Sequence, residues 1–424
     1  MESEVLILGA GAAGLACRMA LAGRREVVTL DAEPEIGGLL RMHHHGAWSF
    51  DTCVHTLFFR NPTTRQLVES LVPEGFHRFS KRNLVWQDGR VIDYPYQFHA
   101  HALAPEIRDD CLRHLPEGSY PARGPSFEDW LLAQFGEGFY RHFFEPYNRK
   151  LYGVSPAELE AAPMTWTIPS DNRAAVLRGA EGPVAQDQPQ VDCLYPRGRG
   201  GISSLPARLA ERGRGEILLG RRGVEIDPVL RTVHTEDGAT FRYGELVCTL
   251  PLPVLLRCLR GVPAELARWG ERFEARAISV LRIAIERSGG ALQAQWTYFP
   301  DPDIPFYRLI RLEMLSPDLA PAGGSACLLE VGGSEVPDAA VAVDLCRRLG
   351  VAGDGAVECA GHVTIPYGYV LFRRGHRAAS EDVIGALAEH GVRVAGRYAT
   401  WSYFNIEQTL ESGLRAAADV LSAG

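Results

Sequence analysis

Gly9, Gly11 and Gly14 in "EVLILGAGAAGLACRMALAG" are spaced Gly-x-Gly-x-x-Gly, between an apolar run, Val5 to Leu8, and a helix-forming stretch. That spacing has a chemical use. The first glycine permits a tight turn, the second lets backbone approach a pyrophosphate, and the third lets helix pack on strand. The helix N-terminus then offers free N–H groups and partial positive charge to the phosphates. Ala13 is expected among the same contacts. Asp31 ends a second strand, "REVVTLDAE", twenty residues beyond Gly11, where a carboxylate can accept bonds from ribose hydroxyls. A further candidate is His55 in "FDTCVHTLFF". A lone histidine before an apolar run is more often a packed core residue, so its neighbours must decide its role.

The stretch after the acid is "EPEIGGLLRM", with Gly37, Gly38, Leu39 and Arg41. It resembles the extended glycine motif of flavoproteins of the glutathione-reductase and amine-oxidase group, where a second loop lines FAD. Nicotinamide dehydrogenases usually lack it. FAD is therefore the expected cofactor, with Gly38 and Leu39 against it.

The bulk composition narrows the alternatives. The chain has 424 residues, 46% apolar and 23% charged, with a net charge of −8, which suits a globular protein of two or three domains. Nucleic-acid binders carry a basic surface instead. Nine cysteines are scattered singly with no CxxC pair, which reads as reduced thiols without a disulfide frame or zinc site. The adjacent histidines of "MHHH" (42 to 45) cannot all face one metal. No basic leader and no run of 18 apolar residues is present, so a cytoplasmic protein without membrane, metal or nucleic-acid partner is expected.

Several elements must position these residues. "YPRGRGGISSLPARLAER" is a glycine loop entering a helix, followed by alternating strands that end in a buried one, Leu246 to Leu250. Near the end, "GVRVAGRYATWSYFNIEQTLESGLRAAADVL" runs strand, loop, helix, with Ile406, Leu410, Leu414, Ala417 and Leu421 on one face. The expected class is α/β. A Rossmann-like FAD-binding domain is built from residues 1–64, 191–265 and 385–424. A mostly helical insertion spans 65–190, where Ser126 and Asp129 suggest a capping box. An antiparallel-sheet substrate domain spans 266–384.

Five further motifs, in order, resemble the UDP-galactopyranose mutase family, especially its longer eukaryotic-type members. They are "VIDYPYQ", "FEPYNRKLYGV", "YPRGRGGI", "WTYFPDPDIPFYR" and "GRYATWSYFNIEQ". The resemblance implies a reaction with no net redox on a nucleotide sugar. N5 of reduced FAD attacks the anomeric carbon, the nucleoside diphosphate leaves, and the sugar recloses between pyranose and furanose forms. NAD(P)H is a candidate reductant. By the same resemblance, Arg308 would grip the diphosphate, with hydroxyl contacts from Tyr369 and Tyr403. Tyr94 and Gln97 would meet the base, and Asn148, Tyr152 and Tyr298 would line the sugar and diphosphate channel. Gly396, Arg397, Glu407 and Gln408 would lie against FAD, and Val224 would supply backbone bonds to adenine. His55 would sit near flavin N5 or the ribityl chain, a catalytic position shared with Arg308.

Two departures from the family pattern point to a substrate other than UDP-galactose. The family's second diphosphate arginine is replaced by Thr167 in "PMTWTIPSDNR", with Arg173 six residues later as a substitute. The loop that reads Gly-Gly-His in the family reads Cys53-Val54-His55 here; valine resists the close approach and positive φ that glycine permits. The alternatives are a redox flavoenzyme of the amine-oxidase or desaturase type, and an idle FAD-binding subunit.

Overall fold

Val5 to Leu8 carries no polar side chain and is wholly buried, as befits a strand with parallel neighbours on both sides. In the computed structural model, which describes residues 1–117, 124–165, 168–169, 173–183 and 192–423, it is the centre of a seven-stranded sheet. Strand Glu2–Leu8 pairs in parallel with Val27–Leu30 on one side and with Thr240–Cys248 on the other. Glu216–Leu218 extends the sheet beyond Val27–Leu30. The far edge of Thr240–Cys248 is shared by the antiparallel strand Thr232–Thr235 and the parallel strand Val392–Val394. Strands from all three expected segments therefore build one sheet. Helix Ala12–Leu21 and the C-terminal helix Ile406–Ser422 pack against each other beside it. On the latter, Ile406, Leu410 and Ala417 are buried, together with Gly413, Ala416 and Val420.

A second seven-stranded sheet runs Val357–Val370, Ala275–Ile285, Ser325–Gly332, Arg308–Arg311, Trp296–Tyr298, Asn83–Gln87 and Arg90–Asp93. All its pairings are antiparallel except Trp296–Tyr298 with Asn83–Gln87. Register places Val85, Tyr298, Arg308 and Glu330 opposite one another on four neighbouring strands. Directly opposed residues share a face of the sheet, so tyrosine, arginine and glutamate form one row.

The segment 65–190, expected to be mostly helical, also contributes strands: Asn83–Gln87 and Arg90–Asp93 complete the second sheet and Phe76–Ser80 pairs with Asp192–Pro196. Helix Pro62–Leu71 precedes these strands, and Pro105–Arg113 and Phe127–Phe139 follow them. Ser126 and Asp129 form the capping box, each side chain bonding the other's backbone N–H. A π-helical turn, Tyr140–Phe144, then leads into Glu145–Tyr152. Such a turn re-aims the residues beyond it, and here those are Tyr147, Asn148 and Tyr152. Among the described residues, no helix is long and apolar enough to cross a membrane.

Candidate active site

The glycine turn shows why its residue types are needed. Gly9 has φ +107°, and a Cβ there would lie 2.1 Å from Thr249 Oγ1, so no other residue fits the turn. At Gly14 a Cβ would fall 1.9 Å from Gly9 O; the third glycine brings helix onto strand. Helix Ala12–Leu21 starts at Gly11 with no side-chain cap, leaving its first N–H groups for a ligand. Asp31 steadies the turn, accepting from Ala10 N at 2.6 Å and Glu33 N at 2.8 Å. The second loop closes on the first through a bridge between Gly11 and Gly37.

From this cradle a cavity of about 1290 Å³ reaches to the face of the second sheet. Its size exceeds that of a usual single-ligand pocket and suits a dinucleotide with a second ligand beyond it. Gly9, Gly11, Ala13, Asp31, Gly38, Leu39, Val224, Gly396 and Arg397 all line it. So do His55, Tyr94, Asn148, Tyr152, Tyr298, Arg308, Tyr369 and Tyr403. The uncapped helix start, the turn that excludes a Cβ and the long cavity together fit FAD.

Four expected contacts are not in the cavity, the first being Gly14, which serves to bring helix onto strand. Gln97 is 0% exposed, and its Nε2 donates to Pro169 O at 2.7 Å, so it ties backbone and does not meet a base. Glu407 accepts from the N–H groups of Arg60 and Asn61 at 2.8 and 2.7 Å; it holds the start of helix Pro62–Leu71. Gln408 closes a capping box with Asn405. Their neighbours Asn405, Ile406 and Thr409 line the cavity instead. Arg173 does not substitute for a diphosphate cation: its Nη1 donates to the carbonyls of Leu115 and Pro116. Thr167 lies outside the described residues.

His55 lies in a loop tied to a buried acid. Asp51, wholly buried, accepts from His55 N at 3.2 Å and from the Tyr195 hydroxyl. The His55 Nδ1 lies 2.8 Å from Cys53 O; a carbonyl only accepts, so Nδ1 carries the proton and Nε2 is left as an acceptor. Burial, against a bond to Cys53 and helped by Arg397 and Arg308, pushes the imidazole down to about 4. His55 is therefore neutral near pH 7. The Cys53 thiol is pushed up by burial, then by Glu330 and Asp51, which makes it an inert thiol.

Arg308 is the site's most constrained cation. Its Nε and Nη2 lie 2.6 and 2.5 Å from Glu330 Oε2, which also accepts from Tyr307 Oη at 2.6 Å. Glu330 is 0% exposed. Burial works against the guanidinium, but Glu330 and the surrounding tyrosines hold it charged, well above its ordinary value. Burial pushes the Tyr94 and Tyr369 hydroxyls up to about 12, and those of Tyr147, Tyr152 and Tyr298 also rise. They remain neutral donors. Arg397 donates to Phe404 O at 2.8 Å and stacks 4.4 Å from the Tyr403 ring centroid. Motif reading missed Glu330 and Lys81, both of which line the cavity. A lone acid in the apolar run "ACLLEVG" was the available signal for Glu330; Lys81 had none. Among the described residues no group of three or more His, Cys, Asp or Glu is placed to hold a metal.

A model of the flavin-containing amine oxidoreductase family matches residues 12–295. The chain belongs to that family. Among solved structures it is similar to reduced UDP-galactopyranose mutase, at 22% identity and TM-score 0.89, covering 100% of this chain and 95% of that one. A protein from Exiguobacterium sp. 255-15, provisionally named protoporphyrinogen oxidase, matches at 15% identity and TM-score 0.77, covering 100% and 99%. A redesigned putrescine oxidase matches at 15% identity and TM-score 0.65, with the same coverage. At these identities the likenesses establish a shared fold, and the fold hosts more than one chemistry.

Proposed function

We propose that this flavoenzyme interconverts the pyranose and furanose forms of a nucleotide sugar other than UDP-galactose, with no net redox. The supporting observation is the set of polar residues that line the cavity beyond the glycine cradle, among a larger apolar lining. Neutral hydroxyls of Tyr94, Tyr147, Tyr152, Tyr298 and Tyr369, the Asn83 and Asn148 amides, and Arg308 line one space. Such a lining suits a polyhydroxylated ligand with an anionic leaving group. When bound, reduced FAD supplies the nucleophile for the anomeric carbon. The protein's part is then to bind, orient and retain. Arg308 stays charged beside the diphosphate, held in one rotamer by Glu330. Tyrosine hydroxyls donate to ligand oxygens without adding charge. His55, neutral, offers an acceptor and takes no part as a charged acid.

A redox reading keeps one specific support: Glu330 offsets the Arg308 charge, which weakens that residue's hold on a dianion. The test is an anaerobic incubation of dithionite-reduced enzyme with a panel of nucleotide sugars, followed by NMR of the sugar ring forms. Ring exchange with one of them is expected. No exchange with any, alongside flavin bleaching by an amine or other donor without added reductant, would transfer the assignment to the redox class.

A further inference from the structure

A bulky side chain is costly at positive φ, where its Cβ crowds the following carbonyl and glycine or asparagine is the usual choice. Trp401 has φ +50°. The segment before it makes one helical turn, closed by Thr400 N donating to Gly396 O at 3.0 Å. Ser402 N then donates back to Arg397 O at 3.0 Å. A bond of that span, with a left-handed residue just before its donor, is the reversal that ends many helices and normally carries glycine. Here it carries a tryptophan, whose surroundings must return what the backbone loses.

Those surroundings are aromatic. The Trp401 side chain is 1% exposed. Its ring centroid lies 5.8 Å from that of Phe273 and 6.4 Å from that of Tyr367, both edge-on, an arrangement aromatic pairs favour. The Tyr367 hydroxyl accepts in turn from Arg257 Nη2 at 2.9 Å, and Arg257 lines the cavity.

The reversal brings the two ends of its loop together. Arg397, before it, donates from Nη1 to Phe404 O, beyond it, and stacks on the Tyr403 ring. Arg397, Tyr398, Tyr403 and Phe404 all line the cavity. Tyr398 is tied from outside the loop, its carbonyl accepting from Leu252 N at 2.9 Å and its hydroxyl donating to Gly368 O at 3.3 Å. The stretch that carries Arg397 and Tyr403 therefore depends on a turn that the residue at its corner opposes through its backbone and secures through its ring.

We infer that Trp401 is a positioning residue of this site: its buried ring fixes the left-handed reversal that sets the Arg397–Tyr403 pair against the cavity. The inference rests on the FAD reading of the cavity and not on the identity of the second ligand. It makes a core side chain part of the grip on the cofactor.

The experiment strips the holoenzyme of FAD and titrates it back, reading dissociation constants from flavin fluorescence. Arg397→Met should raise the constant by about 10- to 100-fold, the worth of one charge-assisted bond. Trp401→Ala should come within about threefold of Arg397→Met. The double variant should also stay within about threefold of Arg397→Met, because a residue that acts through Arg397 has little left to lose once that charge is gone. Trp401→Phe keeps a buried ring and should restore binding to within about threefold of wild type. Leu345→Ala, in the core on the other face of the second sheet, is the control for lost packing: it should lower the melting temperature and leave FAD affinity unchanged. If Trp401→Ala does not accumulate as folded protein, Trp401→Leu takes its place in every comparison. Wild-type affinity in Trp401→Ala or in Arg397→Met overturns the inference. So do losses that multiply in the double variant, a Trp401→Phe that fails to restore binding, and an equal loss in Leu345→Ala. No readout involves a sugar, so the expected FAD constants without ring exchange would leave this inference standing and remove the mutase reading.

Discussion

Asp51 shows how one buried acid governs the loop that faces the flavin site. Burial raises its carboxyl to about 7, against the bonds from Tyr195 and His55 that favour the ionised form. The folded carboxyl holds its proton more tightly than the unfolded one. Its contribution is therefore complete below the ordinary value of 3.8 and is lost as pH rises through about 7. That loss amounts to about 4 kcal/mol at most. Asp51→Asn cannot titrate, so the margin by which wild type outmelts it should narrow between about pH 5 and pH 8. Thermal melts of both holoenzymes at the two pH values check this; a constant margin would return Asp51 to a plain structural role. Gly9 and Gly14 were legible in the sequence because their demands are local. Gln97, Glu407 and Gln408 were misread because a polar side chain inside a motif can equally serve backbone groups. Only the folded chain shows which.

Helix crossing sets the depth of the cofactor cradle. A Cβ on Gly413 of the C-terminal helix would lie 2.1 Å from Ala13 O, so the absence of a side chain there lets this helix press the glycine turn into place. Gly385, in helix His376–Glu389, has nothing within 4 Å of such a Cβ. Gly413→Ala should cost about 1–3 kcal/mol by overpacking and lower bound flavin per mole. Gly385→Ala should be neutral or gain about 0.5–1 kcal/mol with full flavin. Denaturant unfolding with flavin absorbance checks both, and equal flavin occupancy in the two variants would count against the crossing as the constraint. The C-terminal helix was readable from its apolar period. The strands Asn83–Gln87 and Arg90–Asp93 were not, because they are short, and what makes them part of the second sheet is a neighbour more than 200 residues away, Trp296 opposite Asn83.

Across the molecule, one cavity touches the first sheet, the second sheet and the helical layer. FAD bound there would bridge all three, so its binding is linked to global stability. At 100-fold excess over its dissociation constant, a ligand of the folded state adds about 2.7 kcal/mol. Stripping FAD should lower the melting temperature, and titrating it back should raise the midpoint with concentration. A midpoint indifferent to FAD would contradict the linkage. The same architecture governs the order in which the chain can fold. Strand Glu2–Leu8 finds Val27–Leu30 almost at once, but its other neighbour begins at Thr240. During synthesis a strand whose buried end, Val5 to Leu8, is wholly apolar therefore carries a bare edge until the residues beyond Thr240 are made. Closing so long a span is slow, and an open edge pairs readily with the wrong chain. The glycine turn at the end of that strand is thus among the last places to become competent for its cofactor.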